Sequence, residues 1–130
     1  MRVVYDTNVL ATILSSRSEI LRLKQSVLSK EITLVTSPFI LSELDTVLTS
    51  KFNLTKQGAK SRTHLLARIS EVVNPLTIEK IGRDPDDDNI LAAAVTGNAA
   101  YILTLDKDLL ILKKYQEIII LTPTAFRKLT

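Results

Sequence analysis

Arg83-Asp84-Pro85-Asp86-Asp87-Asp88-Asn89-Ile90-Leu91-Ala92-Ala93-Ala94-Val95, followed after Gly97 by Tyr101-Ile102-Leu103-Thr104-Leu105-Asp106-Lys107-Asp108, is the stretch whose reading decides the fold. It holds six of the 14 acidic residues of a chain whose net charge is +3. The first acids precede a small apolar run and predict a helix over 86–98. Asp86 and Asp87 read as its N-terminal residues, favoured by the helix dipole and the unpaired N–H groups of the first turn. Asp84 before Pro85 shapes the turn into it. Asp88 is one acid more than capping needs. The apolar residues 101–105 predict a strand that runs into Asp106, and a short helix follows over 108–114.

Working outward, Val3-Val4-Tyr5 reads as a short buried strand that stops on Asp6. A helical pattern starts at Val9, Leu10 and Ile13, is punctuated by Ser16 and Ser18, and resumes with Ile20, Leu23, Val27 and Leu28. Residues 32–36 predict a second strand. Ser37-Pro38 is a helix start, Ser as cap and Pro at the first position, where its missing N–H is harmless. Ile40, Leu41, Leu44, Val47 and Leu48 supply the apolar stripe of that helix. A further helix after Asn53 carries Leu65, Leu66 and Ile69, and Val72-Val73 lie either at its end or in a third strand. Residues 118–121 give a fifth strand, ended by Pro123. Strands apolar on both faces and separated by helices predict an α/β fold, a mostly parallel five-stranded sheet covered on both sides.

At 130 residues the chain is read as a single domain over 1–130. Its core is aliphatic: 45% of residues are hydrophobic and only 5% aromatic. No apolar run approaches a membrane span, and Asp6 interrupts the only apolar N-terminal run, which excludes a signal peptide. Zero Cys leaves no disulfide and no thiolate metal site, in keeping with a cytoplasmic protein.

In a parallel sheet ligands sit beyond the carboxyl ends of the strands, where strand order reverses. Asp6 and Asp106 both end strands, so neighbouring strands would turn them into one crevice. Glu43, about two turns into its helix, and Asp88, in the first turn of the helix before strand four, can reach the same edge. Four converging carboxylates repel one another unless a cation sits between them. All-oxygen donors select Mg²⁺ or Mn²⁺, which polarise a phosphoryl oxygen and acidify water. Such a site suits phosphodiester hydrolysis and needs no histidine; the chain has only His64.

These residues resemble those of the PIN-domain nucleases, above all the small single-domain toxins of toxin–antitoxin pairs (the VapC-like type). The resemblance rests on Asp6-Thr7-Asn8, on Ser42-Glu43-Leu44, on Asp84-Pro85-Asp86-Asp87-Asp88 leading into Leu91-Ala92-Ala93-Ala94, and on Thr104-Leu105-Asp106-Lys107-Asp108-Leu109. It implies a three-layer α/β/α sandwich and Mg²⁺- or Mn²⁺-dependent RNA cleavage with Asp6, Glu43, Asp88 and Asp106 as the acidic quartet. It further implies that Asn8 and Thr104 orient Asp6 and Asp106, that Asp108 assists from outside, and that the partners are RNA, a cognate antitoxin and a second copy of the chain. Ala100 and Leu105 depart from residues common in relatives and bear on the pocket rim.

Lys56, Lys60, His64 and Arg68 fall four apart on one helix and form a basic stripe that would hold an RNA backbone; with few aromatics, base stacking contributes little. The alternative is a non-catalytic RNA-binding or scaffold domain, against which the full acid set argues. A two-Asp-loop phosphatase would need an acid where Asn8 stands, and a receiver domain a Lys where Pro123 follows Thr122.

Overall fold

The computed structural model describes residues 1–130. In chain order the elements are β1 (Arg2–Tyr5), α1 (Thr7–Leu14), α2 (Arg17–Leu28), β2 (Thr33–Thr36), α3 (Pro38–Ser50), α4 (Lys56–Ile69), β3 (Ser70–Val72), α5 (Pro85–Thr96), β4 (Tyr101–Leu103), α6 (Lys107–Leu110), β5 (Lys114–Tyr115), β6 (Ile118–Leu121) and α7 (Pro123–Leu129). Side-chain caps set the helix starts. Ser16 accepts from the Glu19 amide, Ser37 from that of Ile40, Thr55 from that of Gly58 and Thr122 from that of Ala125. Pro follows the cap in α3, α5 and α7.

The sheet runs β3-β2-β1-β4-β6-β5, parallel except for β5 on β6. It has six strands rather than five. The extra one is a two-residue ribbon, Lys114–Tyr115, that turns back through Gln116 at φ 53°; two residues are too few to show strand periodicity in a sequence. Val72 belongs to β3, an exposed edge, and not to the buried face of α4. Strand order moves one way from β1 to β3 and then returns to β4 on the other side of β1. Right-handed crossovers therefore place α1–α4 on one face of the sheet and α5–α6 on the other. The core of 27 residues is drawn from both layers, with Leu34, Ile40, Leu44, Leu66, Ile90 and Ile102 among its fully buried members.

The strand order reverses between β1 and β4, which pair in register Val3–Tyr101, Val4–Ile102 and Tyr5–Leu103. The Asp6 amide continues that pairing to the Leu103 carbonyl at 2.9 Å. Two strand ends, and the acids just past them, are thereby set side by side at the switch point.

Candidate active site

Asp6 follows β1 and caps α1. Its Oδ1 accepts the Thr7 amide at 2.7 Å and its Oδ2 accepts the Thr104 hydroxyl at 2.7 Å. Thr104 is fully buried, and its Oγ1 in turn accepts the Asp106 amide at 3.0 Å. One hydroxyl thus ties the first strand-end acid to the loop of the second. Burial raises the Asp6 pKa, its two hydrogen bonds oppose that rise, and Asp106 and Asp86 add to it.

Glu43 comes in from α3. Its Oε1 accepts the Thr7 hydroxyl at 2.5 Å. Burial, a hydrogen bond with the Asp86 carboxyl and the charges of Asp86 and Asp6 push its carboxyl up to about 7. Asp106 caps α6 and accepts the Asp108 amide at 2.8 Å. From α5 the residue that joins them is Asp87, 6% exposed. Burial first, then the charges of Asp106, Asp84 and Asp6 and a hydrogen bond with Asp106, push Asp87 up to about 7. One carboxylate oxygen from each of Asp87, Asp106 and Asp108 lies within 4.8 Å of the others.

Asp88, taken from the sequence as the ligand of this helix, faces elsewhere. Its Oδ1 accepts the amides of Ile81 at 3.0 Å and Gly82 at 2.9 Å. It lines a cavity of about 220 Å³ with Leu91, Val95 and Tyr115. Successive helical residues point about 100° apart, so the three acids fan out: Asp86 reaches Glu43, Asp87 reaches Asp106, and Asp88 turns to the Ile81 and Gly82 amides. The apolar pattern discriminates between Asp87 and Asp88. Asp87 is three, four and seven residues before Ile90, Leu91 and Ala94, all at most 2% exposed. Asp88, itself buried, is three before Leu91 but four before the half-buried Ala92 and seven before Val95 at 38%. The helix cap is Asp84, which accepts the Asp86 amide at 2.9 Å, so neither Asp86 nor Asp87 is spent on that role. Asn8 is exposed, and its side chain donates to and accepts from nothing in the protein; Thr7 and Thr104 hold Asp6 instead.

The acids have no cationic partner. The salt bridges of the chain are Arg2–Glu71, Arg22–Glu19 and Lys114–Glu117, none of them here. A family model described as PIN domain matches residues 2–108. The chain belongs to the PIN-domain family.

The fold of this PIN domain is similar to that in the crystal structure of VapBC2 from Rickettsia felis bound to a DNA fragment from their promoter. The TM-score is 0.63 at 19% identity, covering 92% of this chain and 97% of that one. No curated protein matches the chain. No helix of this PIN domain is long and apolar enough to cross a membrane. Lys56, Lys60 and Arg68 are exposed on α4 and in no ion pair, and α4 packs on α3, the helix that carries Glu43. Arg62 of the same helix is structural, donating to the Leu14 and Gly58 carbonyls at 2.8 and 3.3 Å.

Proposed function

We propose that this PIN domain is an endoribonuclease that hydrolyses RNA phosphodiester bonds with Mg²⁺ or Mn²⁺ and acts in the cytoplasm as the toxin of a toxin–antitoxin pair. The observation that carries this reading is the oxygen-only group Asp87, Asp106 and Asp108 beside Asp6 and Glu43, at the switch point and without a counter-ion. The donor set fits a hard divalent cation: every donor is a carboxylate, and three of the oxygens lie within 4.8 Å of one another. Asp6, Glu43, Asp87 and Asp106 would hold it, with Asp108 beside them. Bound there, such a cation supplies Lewis-acid polarisation of the scissile phosphate and a more acidic water.

The chain's own residues do the rest. Thr104 aims Asp6 and fixes the start of the Asp106 loop. Glu43 and Asp87, both pushed up to about 7, hold protons that loading releases. Lys56, Lys60 and Arg68 offer positive charge to the RNA backbone away from the acids. The likeness to a VapBC2 assembly, over nearly the whole of both chains, supports the toxin role and with it an antitoxin and a second copy of this chain as partners.

The test is cleavage of a mixed RNA pool with Mn²⁺, with Mg²⁺ and with EDTA, mapping the cut ends. Asp87→Asn and Asp106→Asn should lower the rate by roughly 10²-fold or more. Cleavage that survives both substitutions, or EDTA, overturns the reading.

A further inference from the structure

We infer that Thr7 is a positioning residue that yokes Glu43 to Asp6, setting two carboxylates from different elements against each other; this rests on the metal-dependent reading above. Thr7 is the first residue of α1 and is 3% exposed. Its amide donates to Asp6 Oδ1 at 2.7 Å, and its hydroxyl donates to Glu43 Oε1 at 2.5 Å across 36 residues of sequence.

The direction of that hydroxyl follows from its place in the helix. Thr12, Thr46, Ser50 and Thr63 each donate to the carbonyl four residues back, to Asn8, Ser42, Thr46 and Ala59. Thr7 has no helical carbonyl behind it, because Val3 lies in β1. Its single O–H is therefore free to cross to α3.

Glu43 depends on it. No lysine, arginine or amide donates to Glu43, and its other near neighbours, Asp86 and Asp6, are acids. Without the Thr7 hydroxyl the only protein partner left to Glu43 is the Asp86 carboxyl. The two can share a hydrogen bond only while one of them is protonated, so the ionised side chain would turn outward. Thr104 does the same at the other strand end. Two buried threonines thus join Glu43, Asp6 and the Asp106 loop into one hydrogen-bonded chain.

Valine matches threonine in shape and lacks the hydroxyl, so Thr7→Val isolates the bond. The measurement is Mn²⁺ affinity by electron paramagnetic resonance, with folding followed by circular dichroism. Thr7→Val should bind Mn²⁺ roughly 10- to 100-fold more weakly, and Thr7→Ser should stay within about threefold of the parent. In a Glu43→Ala background, where nothing remains to be positioned, Thr7→Val should add less than about threefold. If Thr7→Val fails to fold, the smaller Thr7→Ala is read in its place against the same limits. Parental affinity in the folded hydroxyl-free variant, a serine variant as weak as valine, or an undiminished loss without Glu43 overturns the inference and leaves the metal reading standing. A parent protein that binds no Mn²⁺ overturns both.

Discussion

Asp87 and Asp88 are adjacent and chemically identical, and they do different work. Asp87 sits among Asp106, Asp84 and Asp6, so removing its proton in the metal-free fold costs free energy. The folded carboxyl, at about 7, lies above the ordinary 3.8. Its stabilising contribution is therefore complete below about pH 4 and is lost as pH rises through about 7. Metal-free protein should melt at progressively lower temperature from pH 5 to pH 8, and Asp87→Asn should flatten that slope. A slope unchanged in Asp87→Asn would rule out this assignment. Glu43, also pushed up to about 7, contributes in the same sense and keeps the slope from vanishing.

At the scale of elements, α5 is set by its two ends. Asp84 and Pro85 start it, and Gly97 brings its end against β2. A Cβ on Gly97 would lie 2.4 Å from Val35 Cγ1, and Val35 is 1% exposed with a stiff branched side chain. The Gly97 carbonyl accepts from Arg2 Nε at 2.7 Å, so retreat of the backbone would cost that bond. Gly97→Ala should destabilise by about 1–3 kcal/mol in urea melts. Paired with Val35→Ala, which opens space, the combined loss should be smaller than the sum of the single losses; strict additivity would show that the contact is not the cause. Because α5 carries Asp87 into the crevice, Gly97→Ala should also weaken metal binding from a distance. Little of this was legible beforehand: a glycine after an alanine run reads as a helix stop, and its close approach to β2 exists only once the strand order is known.

Over the whole molecule, charge is segregated. The net charge is +3, yet the switch-point crevice gathers acids that form no salt bridge, while Lys56, Lys60 and Arg68 stand exposed on α4. Nucleic acid would be held by the basic α4 face and cut at the acid edge. Replacing Lys56 and Lys60 together with Ala should weaken RNA binding across sequences and reduce the magnitude of the log affinity–log salt slope by about 1–2. An unchanged slope would remove α4 from the interface.

The sequence by itself determined the alternation of elements, the cap of α3, and the residence of Asp6 and Asp106 just past strand ends. Those are local properties: hydrophobic period, capping chemistry and a carboxylate closing an apolar run. It also marked Glu43 and Thr104 through resemblance. The caps of α2 and α7 came from the structure. The tertiary structure alone decided that β1 and β4 are neighbours, which is what makes two strand ends a site. It also set the rotation of α5, which turns Asp87 toward Asp106 and Asp88 toward the Ile81 and Gly82 amides. A run of three aspartates has no phase of its own. The phase comes from Ile90, Leu91 and Ala94 burying themselves together, and the side of the helix that faces the crevice follows from that packing.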